Sequence, residues 1–429
     1  MSSNPDRIKK MFFQGFILHL HPRKVAAETI RFSLSFGLGG ISASLVLLLF
    51  LSGILQLLSY NPDVAFAYDS VKTMYRDNSL SGWVRNIHFW SGNLLVIVTM
   101  LHCCRVFFTG AIDPRRGKNW YIGLLLLGLV FFANFSGYLL PWDQLAYWAV
   151  TIFTSMLGYL PFWGENIVQL FRGGSEVGQT TLSVFYGIHI GVLPFLFTIL
   201  LVYHFWLVRK AGGLVRRKVN GHNAGDFVPV IPNLLVREAA VGLAVISSVL
   251  VFSAMVDAPL DDIANPSMSP NPAKAAWFFL GFQELLMHLH PTYVIFVLPS
   301  IFFITLVTLP FWPGAVSAPG YWFDGKGGGK VVLLSCFTGI VTTFSFILID
   351  DTIQRSSETV TDWLSRGLLP LLGLLFVTIV CYFLLTRTLK LSRARTVMAF
   401  FTFIITTLVC LTFTGIWLRG PGMELTVLF

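Results

Sequence analysis

The chain has 429 residues, of which 55% are hydrophobic and only 12% carry a formal charge. Because a soluble domain has about 25% charged residues, this composition excludes an ordinary soluble protein and indicates a chain that lives in a lipid bilayer. The net charge of +9 would suit a nucleic-acid-binding protein, but the positions of the charges, described below, exclude that class.

Nine apolar segments approach or exceed the roughly 20 residues that a helix needs to cross a bilayer. They show no alternation of period two, so we predict helices rather than a β-barrel. The predicted spans are Phe32–Leu58, Ile87–Phe108, Tyr121–Leu140, Val184–Val208, Ala239–Met255, Tyr293–Phe311, Val331–Ile349, Leu368–Leu385 and Val397–Trp417. Residues 144–172, which Pro161 interrupts, are predicted to form short helices along the membrane surface.

The fold class is therefore an all-α polytopic membrane protein, a four-helix bundle followed by about five further transmembrane helices. We divide the chain into an N-terminal cytoplasmic or interfacial segment (1–31), a four-helix unit (32–215), a second unit (216–349) containing a long polar loop (257–292), and two extra C-terminal spans (350–429). We expect these extra spans to contact partner subunits or lipid.

The charges indicate the orientation of the spans. With the N-terminus in the cytoplasm, 22 of the 30 Lys and Arg residues but only 6 of the 21 acidic residues lie on the cytoplasmic side. This is the positive-inside asymmetry of membrane proteins. The basicity thus follows from topology, and no nucleic-acid partner is needed to explain it.

Four of the nine histidines fall inside predicted spans, where an ionisable side chain is costly and indicates function. His88 and His102 are 14 residues apart on the second span, and His189 and His204 are 15 apart on the fourth, a rise of about 21 to 22 Å on a helix. Since both spans run in the same direction, we expect His88 level with His189 and His102 level with His204. Two such imidazole pairs on parallel helices predict two stacked b-type haems, each with one iron ligand per helix.

Glycines recur on the flanking spans at the same 14-residue interval and would let a flat macrocycle approach the backbone. The two pairs are Gly39 with Gly53 on the first span and Gly123 with Gly137 on the third. Arg85 and Arg105 lie three residues outside the histidines of the second span. One helical turn is within reach of a haem propionate, although either arginine could instead anchor the helix at the membrane surface.

With these residues the chain resembles cytochrome b of the Rieske/cytochrome b complexes over residues 12–312. The resemblance is carried further by Gly137-Tyr138-Leu139-Leu140-Pro141-Trp142-Asp143-Gln144 and by Arg172-Gly173-Gly174. The Pro-Trp-Asp-Gln sequence and the 15-residue step to His204 are similar to the bf-type and menaquinol-type branch. Both halves of the family's fold stand on one chain, as in the mitochondrial type.

The resemblance implies the catalytic subunit of a quinol:cytochrome c (or similar acceptor) oxidoreductase that translocates protons by a Q-cycle. Quinol is then oxidised at an outer pocket and quinone is reduced at an inner pocket, with the two b haems between them. The implied partners are a Rieske iron–sulfur protein, cytochrome c or a similar acceptor, and a second copy of the chain. The implied setting is a prokaryotic cytoplasmic membrane with menaquinone as the quinone.

The outer quinone pocket is implied to lie between one wall of Tyr138, Pro141, Trp142 and Asp143 and a second wall formed by the 257–292 loop. This loop includes Trp277 and Phe278. The family's Pro-Glu-Trp-Tyr aligns here with Ala275-Ala276-Trp277-Phe278, so the glutamate that takes a quinol proton is missing. Removing electrons from quinol still requires a proton acceptor. Our hypothesis is Glu284, with Asp143 and Asp262 as alternatives; Glu284 fits equally a helix-end charge that faces solvent or a partner.

The inner quinone pocket is implied to include Arg237 and Glu238, with Lys24 and Arg31 as further basic groups. Gly37 stands where the bf-type chain has the cysteine that tethers an extra haem, and no C-x-x-C-H sequence occurs, so we expect no covalent haem. The five remaining histidines are expected to be solvated rather than ligands: His19, His21, His222, His288 and His290. If any of them is an exception, we expect it to be His288 or His290, which border the outer pocket.

Two other functions remain open from the residues alone. A di-haem membrane anchor, the quinone-reactive subunit of another respiratory oxidoreductase, would use the same histidine pairs but only one quinone pocket. A haem-free transporter could relay protons through the histidines, but it leaves the glycine interval unexplained.

Overall fold

The computed structural model describes residues 22–76, 80–219, 222–223, 226–316, 318–356 and 368–426. Within these residues nine helices are long and apolar enough to cross a membrane, one for each predicted span. These first to ninth spans are Leu38–Gln56, Leu80–Phe108, Pro114–Leu139, Gln179–Lys210, Val230–Met255, Tyr293–Phe311, Gly328–Thr352, Leu369–Arg387 and Arg393–Leu418. The predicted all-α polytopic fold is confirmed, and the chain is an integral membrane protein.

Shorter elements connect the spans. The short helices are Phe32–Ser35, Ala67–Arg76, Gln144–Leu157, Gly164–Arg172 and Leu280–His288. We call the last one the loop helix, and the 3-10 turn Trp277–Phe279 that precedes it the aromatic turn. Strand Lys24–Ala26 pairs antiparallel with Phe227–Pro229, and Lys218–Val219 pairs with His222–Asn223. Two short helices thus occupy the interrupted segment between the third and fourth spans.

The first span begins later than its apolar run predicts. Phe36 and Gly37 both have left-handed backbone angles, with φ of 49° and 66°, and they separate Phe32–Ser35 from the span. A Cβ on Gly37 would lie 3.1 Å from Val241 Cγ1 of the fifth span. This break therefore lets the chain turn from strand Lys24–Ala26 into the bundle. Hydropathy alone does not reveal the break.

The first four spans form a bundle with one hydrophobic core. The first packs on the second, the second on the third and the third on the fourth, while the fifth covers the first and second. Each of the four contributes a buried residue to the core: Leu45, Val96, Val130 and Phe197. This arrangement leaves the second and fourth spans, which carry the histidines, inside the same unit.

The C-terminal spans behave differently from each other. The seventh span packs on the ninth, and the ninth packs on the loop helix and reaches the second span, where the rings of Phe107 and Phe401 stack with centroids 3.8 Å apart. The eighth span has no buried residue in its apolar window. The ninth span is thus part of the packed chain, and contact of both extra spans with partner subunits or lipid stays a prediction.

Candidate functional site

The second and fourth spans bring two of the predicted imidazoles face to face. The ring centroids of His88 and His189 are 6.2 Å apart, and the ring planes are inclined by 72°. A metal ion held about 2 Å from one nitrogen of each ring puts the centroids roughly 6 Å apart. Two imidazoles can fill the axial positions of a haem iron, whose other ligands belong to the macrocycle. The outer pair therefore fits a bis-imidazole haem.

Serine hydroxyls hold the other nitrogen of each outer histidine. Ser52 Oγ donates to the carbonyl of Leu48 at 2.7 Å and lies 2.9 Å from His88 Nδ1. Ser136 Oγ likewise donates to a carbonyl of its own helix at 3.1 Å and lies 2.9 Å from His189 Nδ1. Since each hydroxyl proton is already used, the hydroxyl accepts the Nδ1–H, which leaves the lone pair on Nε2. This is the second contact that normally fixes a metal-binding histidine.

The glycines at this level lie directly against the same rings. A Cβ on Gly53 would lie 3.2 Å from His88 Cε1, and a Cβ on Gly137 would lie 2.7 Å from His189 Cε1. The second distance is shorter than van der Waals contact allows, so any side chain at this position must displace the imidazole. The outer glycines thus make room for the ligand rings themselves, beside any macrocycle.

The inner level repeats this pattern without the serines. His102 lies close enough to His204 for electrostatic interaction, and Cβ atoms on Gly39 and Gly123 would lie 3.3 and 3.6 Å from the Cε1 atoms of these two rings. Within the described residues, the buried atoms His102 Nδ1 and Arg105 Nη2 have no hydrogen-bond partner. Buried polar atoms are rarely left unsatisfied, and a haem with its propionate would give the guanidinium an anion to bind.

The two arginines predicted near the propionates differ in their contacts. Among the described residues, Arg105 has one hydrogen bond, from Nε to Leu34 O at 2.9 Å. Arg85 makes three: Nη1 donates to the Tyr75 hydroxyl and to Ala258 O, and Nη2 donates to Pro259 O. Arg105 therefore keeps a free donor for a propionate, whereas the described contacts of Arg85 hold the segment after the fifth span.

The two predicted walls of the outer quinone pocket meet at Asp143. Its Oδ1 accepts from Ala146 N at 2.8 Å and caps the helix Gln144–Leu157, and its Oδ2 accepts from Asp261 N at 3.1 Å. Gln144 N donates to Asp262 O at 2.8 Å. Burial raises the pKa of Asp143 above its usual value, against the two backbone N–H groups, which lower it. The neighbouring Trp142 is buried and has a left-handed φ of 53°.

The aromatic turn contacts the bundle of the first four spans. Trp277 Nε1 donates to Asn93 Oδ1 of the second span at 2.5 Å. The ring centroid of Phe278 is 6.3 Å from that of Phe131 on the third span. Tyr138 and Leu140, near the other wall, pack against a separate buried cluster that includes Trp142 and Leu139.

Glu284 lies in a buried ion cluster, together with His288, Asp350, Asp351 and Arg419. Arg419 Nη2 donates to Glu284 Oε1 at 2.6 Å, and Arg419 Nη1 donates to Asp351 Oδ2 at 3.1 Å. Both ring nitrogens of His288 face carboxylates, Asp350 Oδ2 at 2.6 Å and Glu284 Oε1 at 3.2 Å. We call these five residues the C-terminal ion cluster.

The ion cluster corrects two expectations. Glu284 does not face solvent, because its side chain is 0% exposed. Burial opposes ionisation, but hydrogen bonds from His288 and Arg419 outweigh it and lower the pKa of Glu284. His288 is not solvated either: burial lowers its pKa, the two carboxylates raise it more, and the net result is about 9.

The remaining histidines add little to the site. His290 is half-buried, and its Nδ1 accepts from Thr292 N at 3.3 Å. His19 and His21 lie outside the described residues, as does the side chain of His222. Within the described residues, no group of three or more His, Cys, Asp or Glu side chains is arranged to hold a metal ion by itself.

A cavity of about 110 Å³ lies at the predicted inner side of the membrane. Arg31 lines it, as do two residues that the sequence analysis missed, Glu28 and Arg217. Arg237 donates to Ile30 O at 2.6 Å, next to Arg31 in the chain. The complete lining is Glu28, Arg31, Ser33, Leu34, Val215, Arg217 and Trp322.

Three of the four residues of the predicted inner set, including Arg237, lie outside this lining. Lys24 lies in strand Lys24–Ala26 and its side chain is exposed. Glu238 Cγ lies 3.9 Å from the position of a Cβ on Gly40 of the first span. Leu34 lines the cavity, and its carbonyl accepts a hydrogen bond from Arg105, which lies one helical turn from His102. The cavity therefore lies near the inner histidine level.

Sequence reasoning also missed the two serines, although a signal was present. Each precedes a glycine of the outer level, so that Ser-Gly occurs at both 52–53 and 136–137. No comparable signal marked Arg419 as a partner of Glu284.

Comparisons with known proteins bear on the same region. The sequence profile of the family described as cytochrome b/b6/petB matches residues 24–212. Cytochrome b6 from a Synechococcus strain and from Prochlorococcus marinus are each 38% identical to this chain over 175 residues, which is 41% of this chain and 80% of the relative. A chain of the solved "Hyperthermophilic respiratory Complex III" is similar in fold, with a TM-score of 0.66 at 21% identity, covering 96% of this chain and 99% of that one.

Proposed function

Since the chain belongs to the cytochrome b/b6 family, we propose that it is the membrane subunit of a quinol:cytochrome c (or similar acceptor) oxidoreductase that works by a Q-cycle. Membership implies haem b and quinones as its ligands. The observation that carries the proposal is the outer histidine pair, 6.2 Å apart, with each Nδ1 held by a serine. A haem-free proton relay would not need this tautomer or the glycines beside both rings.

The residues assigned to the haems follow from the two levels. His88 and His189 would hold the outer haem, and His102 and His204 the inner one, with Arg105 binding a propionate. When bound, haem b supplies a one-electron centre at each depth of the membrane. The chain contributes the fixed ring orientation, the space beside each ring and a dry apolar core around the site.

At the outer site, the contacts favour Asp143 over Glu284 as the proton acceptor. Its pKa is raised by burial, and it stands where the Trp142 wall meets the 257–292 loop. A carboxylate with a raised pKa is the better base for a proton leaving quinol. Glu284 is committed to Arg419 and would have to break a buried ion pair to accept a proton.

At the inner site, we propose that the cavity beside Arg31 admits the quinone headgroup. Arg31 and Arg217 offer positive charge, and Glu28 is the acidic group on the same lining. Arg237, Glu238 and Lys24, grouped by sequence around this side, would form the approach for protons from the cytoplasm. Reduction of a quinone consumes protons, so acidic and basic groups at the entrance suit that reaction.

The cysteine motifs that the sequence lacks indicate which redox centres partner subunits must supply. Within the whole sequence no C-x-x-C pair or C-x-x-C-H sequence occurs, so the Rieske cluster and the c-type acceptor belong to partner subunits. We further propose a homodimer in a prokaryotic cytoplasmic membrane, with the N-terminus in the cytoplasm and menaquinol as the reductant.

Quinol-dependent haem reduction in membranes that contain the assembled complex tests the function. A soluble menaquinol analogue is expected to reduce b haem by two routes, one blocked by an outer-pocket inhibitor and the other by an inner-pocket inhibitor. A single inhibitor that blocks all reduction would contradict the proposal and support a membrane anchor with one quinone pocket.

A further inference from the structure

We propose that Arg419 is a positioning residue for the outer quinol site, which it serves by fixing the loop helix and the aromatic turn against the histidine-bearing bundle. The inference rests on the proposed oxidation of quinol at that site. It gives the end of the ninth span a role in the reaction, although no described contact of Arg419 involves the four intramembrane histidines.

Arg419 fixes the loop helix through an ion pair that is closed to water. Its side chain is 1% exposed and that of Glu284 is 0% exposed. Arg419 Nε lies 3.1 Å from each carboxylate oxygen of Glu284, and Nη2 adds a contact of 2.6 Å. Removing one partner of a buried ion pair leaves an uncompensated charge, which is strongly unfavourable. The loop helix therefore cannot leave the ninth span without a large cost.

A second set of contacts extends the docking along the loop. Lys274 Nζ donates to Ile416 O at 2.9 Å, and Gly422 N donates to Asn271 Oδ1 at 2.5 Å. A Cβ on Gly281 would lie 2.7 Å from Thr412 Oγ1, so the two backbones approach too closely for a side chain there. The segment 271–288 is thus held along its length by residues 412–422.

The opposite side of the same segment touches the bundle. Trp277 binds Asn93, which stands five residues after His88 on the second span. Phe279 contacts Phe135 of the third span, with ring centroids 5.6 Å apart. The aromatic turn runs directly into the loop helix, so a shift of the ion cluster moves Trp277. Misplacement of about 1 Å can lower a reaction rate by about 100-fold.

Arg419 acts through its neighbours, because its guanidinium is saturated by Glu284, Asp351 and the carbonyl of Met423. It therefore differs from a group that exchanges protons with quinol. Neutralising one partner changes the net charge of the cluster, whereas neutralising both restores it. This difference separates docking from proton transfer.

The test uses four variants of the full chain in the assembled complex: Arg419→Gln, Glu284→Gln, the double Glu284→Gln/Arg419→Gln, and Arg395→Gln as a matched control. Arg395 lies at the other end of the ninth span, 31% exposed, and pairs with Asp324 at 3.5 Å. The readouts are haem content, reduction by dithionite, and the kcat and KM for outer-site reduction of haem by a soluble menaquinol analogue.

Arg419→Gln is expected to keep both haems and the dithionite spectrum, yet to slow outer-site reduction by about 10- to 100-fold. The double variant is expected to recover to within a few-fold of wild type, because two amides of similar shape can replace the pair. Arg395→Gln is expected to match wild type. Reduction through the inner site should be unchanged in every variant.

Wild-type rates in Arg419→Gln would overturn the inference, and so would a double variant as slow as Glu284→Gln, since Glu284 would then act in its own right. If Arg419→Gln does not load haem, Lys274→Met replaces it and is expected to slow outer-site reduction several-fold. A wild-type complex without outer-site reduction by quinol would refute the proposed function instead, so the two failures are distinguishable.

Discussion

The structure contains two kinds of histidine in apolar surroundings, the half-buried pair His88 and His189 and the buried His288, and they differ in their partners. Each of His88 and His189 has a serine hydroxyl 2.9 Å from Nδ1 and no carboxylate partner among the described contacts, which leaves the lone pair on Nε2. His288 has a carboxylate at each nitrogen and a pKa raised to about 9. The first kind suits the proposed haem ligation, whereas the second carries a positive charge between carboxylates. The groups around a histidine, rather than its position in an apolar environment, therefore distinguish a proposed metal ligand from a charged structural residue. We call His288 the clamp histidine.

Haem content should change most when one of the proposed ligand histidines is replaced, and should not change when His288 is replaced. His88→Leu is expected to lower the haem content from two to about one per chain, because the outer iron loses an axial ligand. His288→Gln is expected to retain both haems. Haem per chain, measured by pyridine haemochrome on purified complex, checks both variants. Loss of haem in His288→Gln with normal content in His88→Leu would reverse the comparison.

The second-largest effect on haem content is expected when the space beside the His189 ring is filled. Gly137→Ala puts a Cβ 2.7 Å from His189 Cε1, whereas Gly128, on the same span, has no atom within 4 Å of its Cβ position. We therefore expect Gly137→Ala to lose most of its outer haem and Gly128→Ala to keep it. Reduced-minus-oxidised spectra measure the difference, and equal spectra would show that the ring is free to move aside.

Replacing a serine beside one of the outer histidine rings is expected to have a smaller effect on haem binding. Ser136→Ala removes the acceptor of His189 Nδ1–H, and loss of such a contact typically weakens metal binding about 10- to 100-fold. We expect weaker haem retention during detergent washing and a shifted potential of the outer haem alone in a redox titration. Ser42→Ala is the control, because that hydroxyl bonds Leu38 O of its own helix. Identical behaviour of the two variants would deny the serine its orienting role.

The clamp histidine predicts a pH dependence of stability. Since the folded state raises the pKa of His288 from 6.5 to about 9, its contribution is complete below about pH 6.5 and is lost as the pH rises through about 9. The groups that face it are Glu284, Asp350 and Arg419. The lowered pKa of Glu284 and the raised pKa of Arg419 keep these two groups charged over that window. The melting temperature of the wild type should therefore fall more between these pH values than that of His288→Gln. Parallel curves would contradict a charged clamp.

Much of the ligand site could be predicted from sequence, because a helix turns spacing into position. The 14- and 15-residue steps place the four histidines at two levels, and the glycines at the same interval meet their rings. The ion cluster could not be predicted in this way: Glu284 and Arg419 are 135 residues apart, and no helical period relates them. His288 looked polar and solvated, but two carboxylates compensate its burial. Tertiary contacts, unlike helical spacing, decide the partner of a charge.

The central claim is that each histidine pair holds one haem iron between two imidazoles. Electron paramagnetic resonance of the oxidised complex, combined with a redox titration of its b bands, tests this most directly. We expect two low-spin centres per chain with two midpoint potentials, of which only one disappears in His88→Leu. A high-spin iron signal in the wild-type chain, or the absence of any b-type band, would contradict it.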